Sequence, residues 1–303
     1  MSYMAILIQR EFWEHRNTFI VLPAIVAGLM FSVMLAGVLY APLNINFSSE
    51  STSGPNGQQV QISTERNFDG NWAEAMQQEF ITLDSEQRTG FLSTAFTGID
   101  VVLSVVLWLV ILSFLLNCLF NDRRDRSILF WKSMPISDAT AVLAKLATAL
   151  LALPIVYLSA MAALQISWLG LFTLSTLDAE TSAWDMVWVP APILSHWLHY
   201  LGLVLFYGLW CLPLWGWLLA VSAYAKRTPL VSALGVPLCL IIAERLISDQ
   251  AYIESWIIAH SMPMDRSTDI AALLFGADML LAVLVGTLWL GVAIWLRGRA
   301  DEL

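Results

Sequence analysis

The sequence predicts an all-α polytopic membrane protein with about six transmembrane helices, an N-terminal interfacial helix and a short helix in a cytoplasmic loop. Composition is the first of three reasons. The 303 residues are 58% hydrophobic and 13% charged, with a mean hydropathy of +0.69, more apolar surface than a soluble domain can hide. The second is length. Apolar stretches cover about residues 18–40, 97–120, 142–171, 197–224, 230–243 and 271–296, and crossing a ~30 Å hydrocarbon core takes ~20 apolar residues at ~1.5 Å each. The third is charge: Arg10, Arg16, Arg123, Arg124, Arg126, Lys132, Lys226, Arg227, Arg297 and Arg299 fall on one side of these stretches, and only Arg66, Arg88 and Arg266 on the other. That asymmetry puts both termini and the loops after the second and fourth spans in the cytoplasm. The chain then reads as one integral membrane domain, residues 1–303.

The elements follow in order. Residues 1–17 change from apolar (Tyr3 to Ile8) to polar (Gln9 to Arg16), with Arg10–Glu14 and Glu11–His15 spaced to pair along a helix. Trp13 suits the headgroup level, so a helix along the inner leaflet, turning into the first span, is expected. No cleavable signal peptide is evident, and the first span reads as a signal anchor. That span carries Ala24, Gly28, Ser32 and Ala36 at intervals of four, a small-residue ridge that admits a second copy or a neighbouring span. The extracytoplasmic loop 41–96 is polar, flexible over 48–64 and helical over 71–80 and 85–96. The fifth span is short because Glu244 and Arg245 interrupt it, so a broken or re-entrant helix is expected there, followed by an extracytoplasmic loop at 247–270. Pro23, Pro154, Pro213 and Pro237 lie inside spans and favour kinks.

Several chemistries lack their residues. A phosphate-binding loop needs Gly-Lys before Ser or Thr, yet Lys132, Lys145 and Lys226 follow Trp, Ala and Ala. His196 and His199 share a helical face without a third ligand, and Cys118, Cys211 and Cys239 make no metal or disulfide framework. No catalytic residue, metal site or cofactor is therefore expected in this chain. The net charge of −9 describes the acidic outer loops and offers nothing to nucleic acid. Among charges at membrane depth, Lys145 is expected to snorkel to the cytoplasmic surface, and Glu244 and Arg245 to pair with each other or with a neighbour.

The most informative stretch is the loop 121–138, which reads Asn-Asp-Arg-Arg-Asp-Arg-Ser-Ile-Leu-Phe-Trp-Lys-Ser-Met-Pro-Ile-Ser from Asn121 to Ser137. Asp122 can cap a short helix that Pro135 ends, and Ser137 can cap the third span. Arg123, Arg124 and Arg126 form a cationic edge, while Ile128, Phe130, Trp131 and Met134 are bulkier than a charged membrane anchor needs. This loop, the charged N-terminal helix, the large outer loop and the opening Ala141-Val142-Leu143-Ala144-Lys145 of the third span resemble permease subunits of ABC-2 type exporters. The resemblance implies a coupling helix comprising Arg123, Arg124, Asp125, Arg126, Ile128, Phe130, Trp131 and Met134. It further implies a second contact through Arg10, Glu11 and Trp13 of the N-terminal helix, and a cytoplasmic ATP-binding partner that holds the ATP and Mg. A second permease copy or paralogue would complete the assembly in lipid, in a bacterial inner membrane. The alternative is a membrane scaffold or sensor whose acidic extracytoplasmic face recognises an envelope partner, with no transport.

Overall fold

The computed structural model describes residues 3–40, 80–133, 136–175, 182–247, 251–261 and 273–299. Every element among them is helical, and six helices are long and apolar enough to cross a membrane. The protein is an all-α polytopic membrane protein. Its helices are α1 (Tyr3–Glu14), α2 (Leu22–Tyr40), α3 (Ser85–Arg124), α4 (Ser127–Ser133), α5 (Asp138–Ala147), α6 (Leu153–Ser175), α7 (Ile193–Trp210), α8 (Leu212–Tyr224), α9 (Pro229–Ile247), α10 (Tyr252–Ala259) and α11 (Ala277–Arg299). They form two compact units, one of Met1–Ala24, Val102–Ala160 and Leu194–Leu303, the other of Ile25–Val101 and Met161–Ile193.

Proline shapes several of these helices. Single π-helical turns occupy Asn17–Val21, Thr148–Ala152 and Trp184–Trp188, and each ends two residues before a proline: Pro23, Pro154 and Pro190. A proline ring clashes with the carbonyl four residues back and donates no hydrogen bond. At Pro23 and Pro154 widening the preceding turn to an i→i+5 register moves that carbonyl aside and the helix continues, whereas after Trp184–Trp188 the chain turns at Val189 and Pro190 before α7. Pro213 acts differently, since it sits in the first turn of α8, where an N–H would be unsatisfied anyway. The chain turns at Cys211, and the single fourth span expected at 197–224 is two helices, α7 and α8.

In the first unit, α8 and α11 cross at two glycines. A methyl group on Gly216 would stand 2.7 Å from the Gly286 carbonyl oxygen, and one on Gly286 would stand 2.8 Å from the Leu212 carbonyl carbon. Absence of a side chain on both helices lets the backbones touch. Indoles fill the flanks: Trp215 packs edge-on against Trp108 of α3 at 4.7 Å, and Trp217 against Trp289 of α11 at 4.7 Å. The Trp217 indole also donates to the Ala233 carbonyl at 3.1 Å, which holds α9.

The fifth span corrects the sequence reading. α9 runs unbroken through Glu244 and Arg245 for 19 residues, long enough to cross. These charges leave the helix intact because they lie in its last turns and serve α10. The Glu244 carboxylate accepts from the backbone N–H groups of Ile253 at 2.8 Å and Glu254 at 3.1 Å, supplying partners that the first turn of α10 lacks. Arg245 pairs with Glu254. Trp210 donates to the Ala259 carbonyl and stacks on His260 at 4.5 Å, tying the end of α10 to α7.

The second unit has its own core of Phe80, Leu92, Phe96, Leu169, Met186 and Val187, all buried. Asp84 and Gln87 start α3 with reciprocal hydrogen bonds, each side chain accepting from the other's backbone N–H. Helix and span, which the sequence reading separated at 85–96 and 97–120, are one α3 of 40 residues. At ~1.5 Å per residue that is about 60 Å, twice the hydrocarbon thickness, and the Ser, Thr, Glu and Arg residues of 85–97 are suited to lie beyond it. Asp100 is buried and accepts from Gln165 Nε2 at 2.8 Å.

Candidate functional site

The ends of α1, α3 and α11 meet α5 in a buried cluster of charges, to which α5 brings Asp138 from its first turn and Lys145 from its last. α5 begins with Ser137, whose hydroxyl accepts from the Thr140 N–H at 3.1 Å, the cap that the sequence predicted. Two turns on, Lys145 Nζ donates to Glu11 Oε1 at 2.9 Å and to Asp122 Oδ1 at 3.3 Å. The other oxygen of Asp122 accepts from Arg297 Nη1 at 3.0 Å, and Arg297 Nε lies 3.2 Å from Asp138 Oδ1. Glu11, Asp122, Lys145 and Arg297 are all less than a tenth exposed. One carboxylate, Asp122, thus bridges cations from two helices, and Glu11 anchors a third helix to the same ammonium.

This arrangement overturns two expectations. Lys145 does not snorkel to the surface, because two buried carboxylates hold its ammonium where a lone charge would be costly. Asp122 does not cap a loop helix, because α3 continues past it to Arg124 and turns its side chain inward. Arg123 is also buried, donating to the backbone carbonyls of Ser222 and Ala225 at the end of α8. The Ser222 hydroxyl accepts from the Leu119 and Phe120 N–H groups at 3.1 Å each. The end of α3 is therefore bound to α8 on one side and to α1, α5 and α11 on the other.

From this fixed end the chain reverses. Arg126 takes a left-handed backbone, φ +59°, unusual for a side chain with a Cβ, and α4 begins at Ser127, whose hydroxyl donates to the Asp122 carbonyl at 3.2 Å. The loop helix thus starts at Ser127 rather than at Arg123, and its described part is Ser127–Ser133. It turns Ile128 inward and leaves Leu129 and Phe130 more than half exposed. Arg124, Asp125 and Arg126 are exposed; Arg124 pairs with Asp125 at 3.1 Å and lies over the Phe120 ring. Trp131 belongs to α4, while Met134 lies outside the described residues.

The N-terminal trio divides in the same way. Arg10 pairs with Glu14 at 2.9 Å, Trp13 is 58% exposed, and Glu11 belongs to the buried cluster. His15 packs on Phe19 and Phe114. The ridge of Ala24, Gly28, Ser32 and Ala36 is a separate feature of α2 and is exposed along its length. No group of three or more His, Cys, Asp or Glu among the described residues could hold a metal. Compared with protein-family models, curated proteins and solved structures, the chain matches none.

Proposed function

We propose that this chain is the permease subunit of an ABC-2 type exporter, working in a bacterial inner membrane with both termini in the cytoplasm. It moves substrate with force from a separate ATP-binding subunit, which holds the ATP and Mg. One observation carries the reading. The exposed Arg124 and Arg126 and the exposed Leu129 and Phe130 of a short helix lie at or just beyond the end of α3, whose Asp122 joins a buried ion cluster that also holds Lys145 of α5. A push on Phe130 or Arg124 is passed to the end of α3. Asp122 passes it to α5 through Lys145 and to α11 through Arg297, and Lys145 passes it on to Glu11 of α1, because packed and paired elements move as bodies rather than deform. The excess of arginines at this end supports its cytoplasmic placement.

The test is co-purification from native membranes in mild detergent. The wild-type chain is expected to bring down a polypeptide with a phosphate-binding loop, and Arg124→Glu with Phe130→Ala to lose it while remaining monodisperse, since both side chains are exposed. Recovery of no ATP-binding subunit, or equal recovery by the variant, contradicts the proposal and favours the scaffold or sensor.

A further inference from the structure

We propose that the turn joining α8 to α9 holds the phosphate of an anionic lipid, with buried Arg123 behind it and the exposed Lys226 and Arg227 in front. The starting observation is a charge without a counter-ion. Arg123 is 6% exposed, and its hydrogen bonds among the described residues are both made by Nη2, to the Ser222 and Ala225 carbonyls. Its Nε is buried without a partner. The acids beside it in the chain are engaged elsewhere, Asp122 with Lys145 and Arg297, and Asp125 with Arg124. No Asp or Glu occurs from Met186 to Ala243, so neither α8 nor the turn nor the first fifteen residues of α9 supply one. The carbonyls at a helix end offer only part of a negative charge, and a guanidinium kept from water gains most from a full one.

Position decides which kind of anion. Tyr224, the last residue of α8, is 65% exposed, and Leu230 and Val231 in the first turn of α9 are 57% and 67% exposed. An amphipathic tyrosine, followed across a short turn by bare aliphatic side chains, marks the level where acyl chains give way to headgroups. The turn between them, residues 225–228, therefore lies at phosphate depth rather than in open cytosol. Lys226 and Arg227 are exposed there, directly after the carbonyl that Arg123 binds, and the first turn of α9 holds no acid to oppose them. Three cations and the positive end of a long helix thus meet at one turn on the lipid surface. Lys226 and Arg227 make the direct contacts with phosphate oxygens, and Arg123 adds a positive field from low-dielectric surroundings behind them.

The test uses the purified full chain without an ATPase, so its failure and that of the permease reading are separable. Phosphatidylglycerol, phosphatidylcholine and inorganic phosphate are each titrated into delipidated protein. Native mass spectrometry counts bound lipid, and thermal unfolding reads stability. Phosphatidylglycerol is expected to be retained and to raise the unfolding temperature. At equal concentration phosphatidylcholine, whose choline cation opposes the site, and inorganic phosphate, which has no acyl chains, should do neither. Lys226→Gln with Arg227→Gln is expected to weaken retention about thirtyfold with the fold intact, since both side chains are exposed. Arg123→Gln, which keeps an amide donor for the carbonyls and removes the charge, should weaken it about tenfold; if that variant does not fold, the double variant alone decides. Arg16→Gln, an exposed cation at the same membrane face, should bind as wild type. Equal retention of phosphatidylcholine, saturation by inorganic phosphate, or unchanged retention by the double variant or by folded Arg123→Gln overturns the proposal. So does an equal loss in Arg16→Gln, because any surface cation would then serve.

Discussion

Lys145→Met is expected to be the most destabilising single substitution in the protein, costing about 3–5 kcal/mol, the range for breaking a buried ion pair by removing one partner. Of its five charges, the cluster has three acids, Glu11, Asp122 and Asp138, and two bases, Lys145 and Arg297. Methionine fits the volume, so the loss is electrostatic. It leaves Glu11 and Asp122 buried with only Arg297 near Asp122, and Arg10 at 3.7 Å from Glu11. Asp122→Asn should cost less, because each cation keeps one carboxylate, Lys145 with Glu11 and Arg297 with Asp138. The order decides between an electrostatic role and simple packing, since the two residues are comparably buried. Adding Glu11→Gln to Lys145→Met should restore part of the loss, a non-additivity expected of groups in contact. Unfolding in mixed detergent micelles, followed by tryptophan fluorescence, measures all four chains. Equal stability of Lys145→Met and wild type would remove the cluster from the account.

The second large effect is at the glycine crossing. Gly286→Ala places a methyl group within 2.8 Å of the Leu212 backbone carbon, so α8 and α11 must separate. Overpacking of this kind costs about 1–3 kcal/mol, and Gly286→Leu more. Gly28→Ala on α2, where a Cβ meets nothing within 4 Å, serves as the control and should be neutral or slightly stabilising through helix propensity. The same unfolding measurement reads both. If Gly286→Ala is as stable as Gly28→Ala, the helices do not approach as closely as described.

The membrane spans were legible in the sequence because spanning is a local property: twenty apolar residues announce themselves wherever they occur. The Ser137 cap was legible for the same reason, its partner being three residues away. The charge cluster was not. Lys145 and Glu11 are 134 residues apart, and Arg297 and Asp122 are 175 apart. A lysine just inside a span has a cheap local explanation in snorkelling, and only tertiary packing decides against it. Gly216 and Gly286 were likewise ordinary glycines until α8 and α11 were seen to cross. The fifth span was misread because Glu244 and Arg245 count against an apolar stretch, while their partners on α10 lie nine or ten residues further along the chain. The prolines carried an unused signal, since the three π-helical turns all precede one by two residues.

The account turns on where the segment Arg124–Ser133 lies and what reaches it. The most direct measurement is labelling of Arg124→Cys, in the chain lacking its native cysteines, with a membrane-impermeant maleimide on right-side-out and inverted vesicles. The account predicts labelling in inverted vesicles only, and protection there when the ATP-binding subunit is bound. Labelling in right-side-out vesicles would place the loop outside the cell, where no ATPase can push it, and would contradict the account.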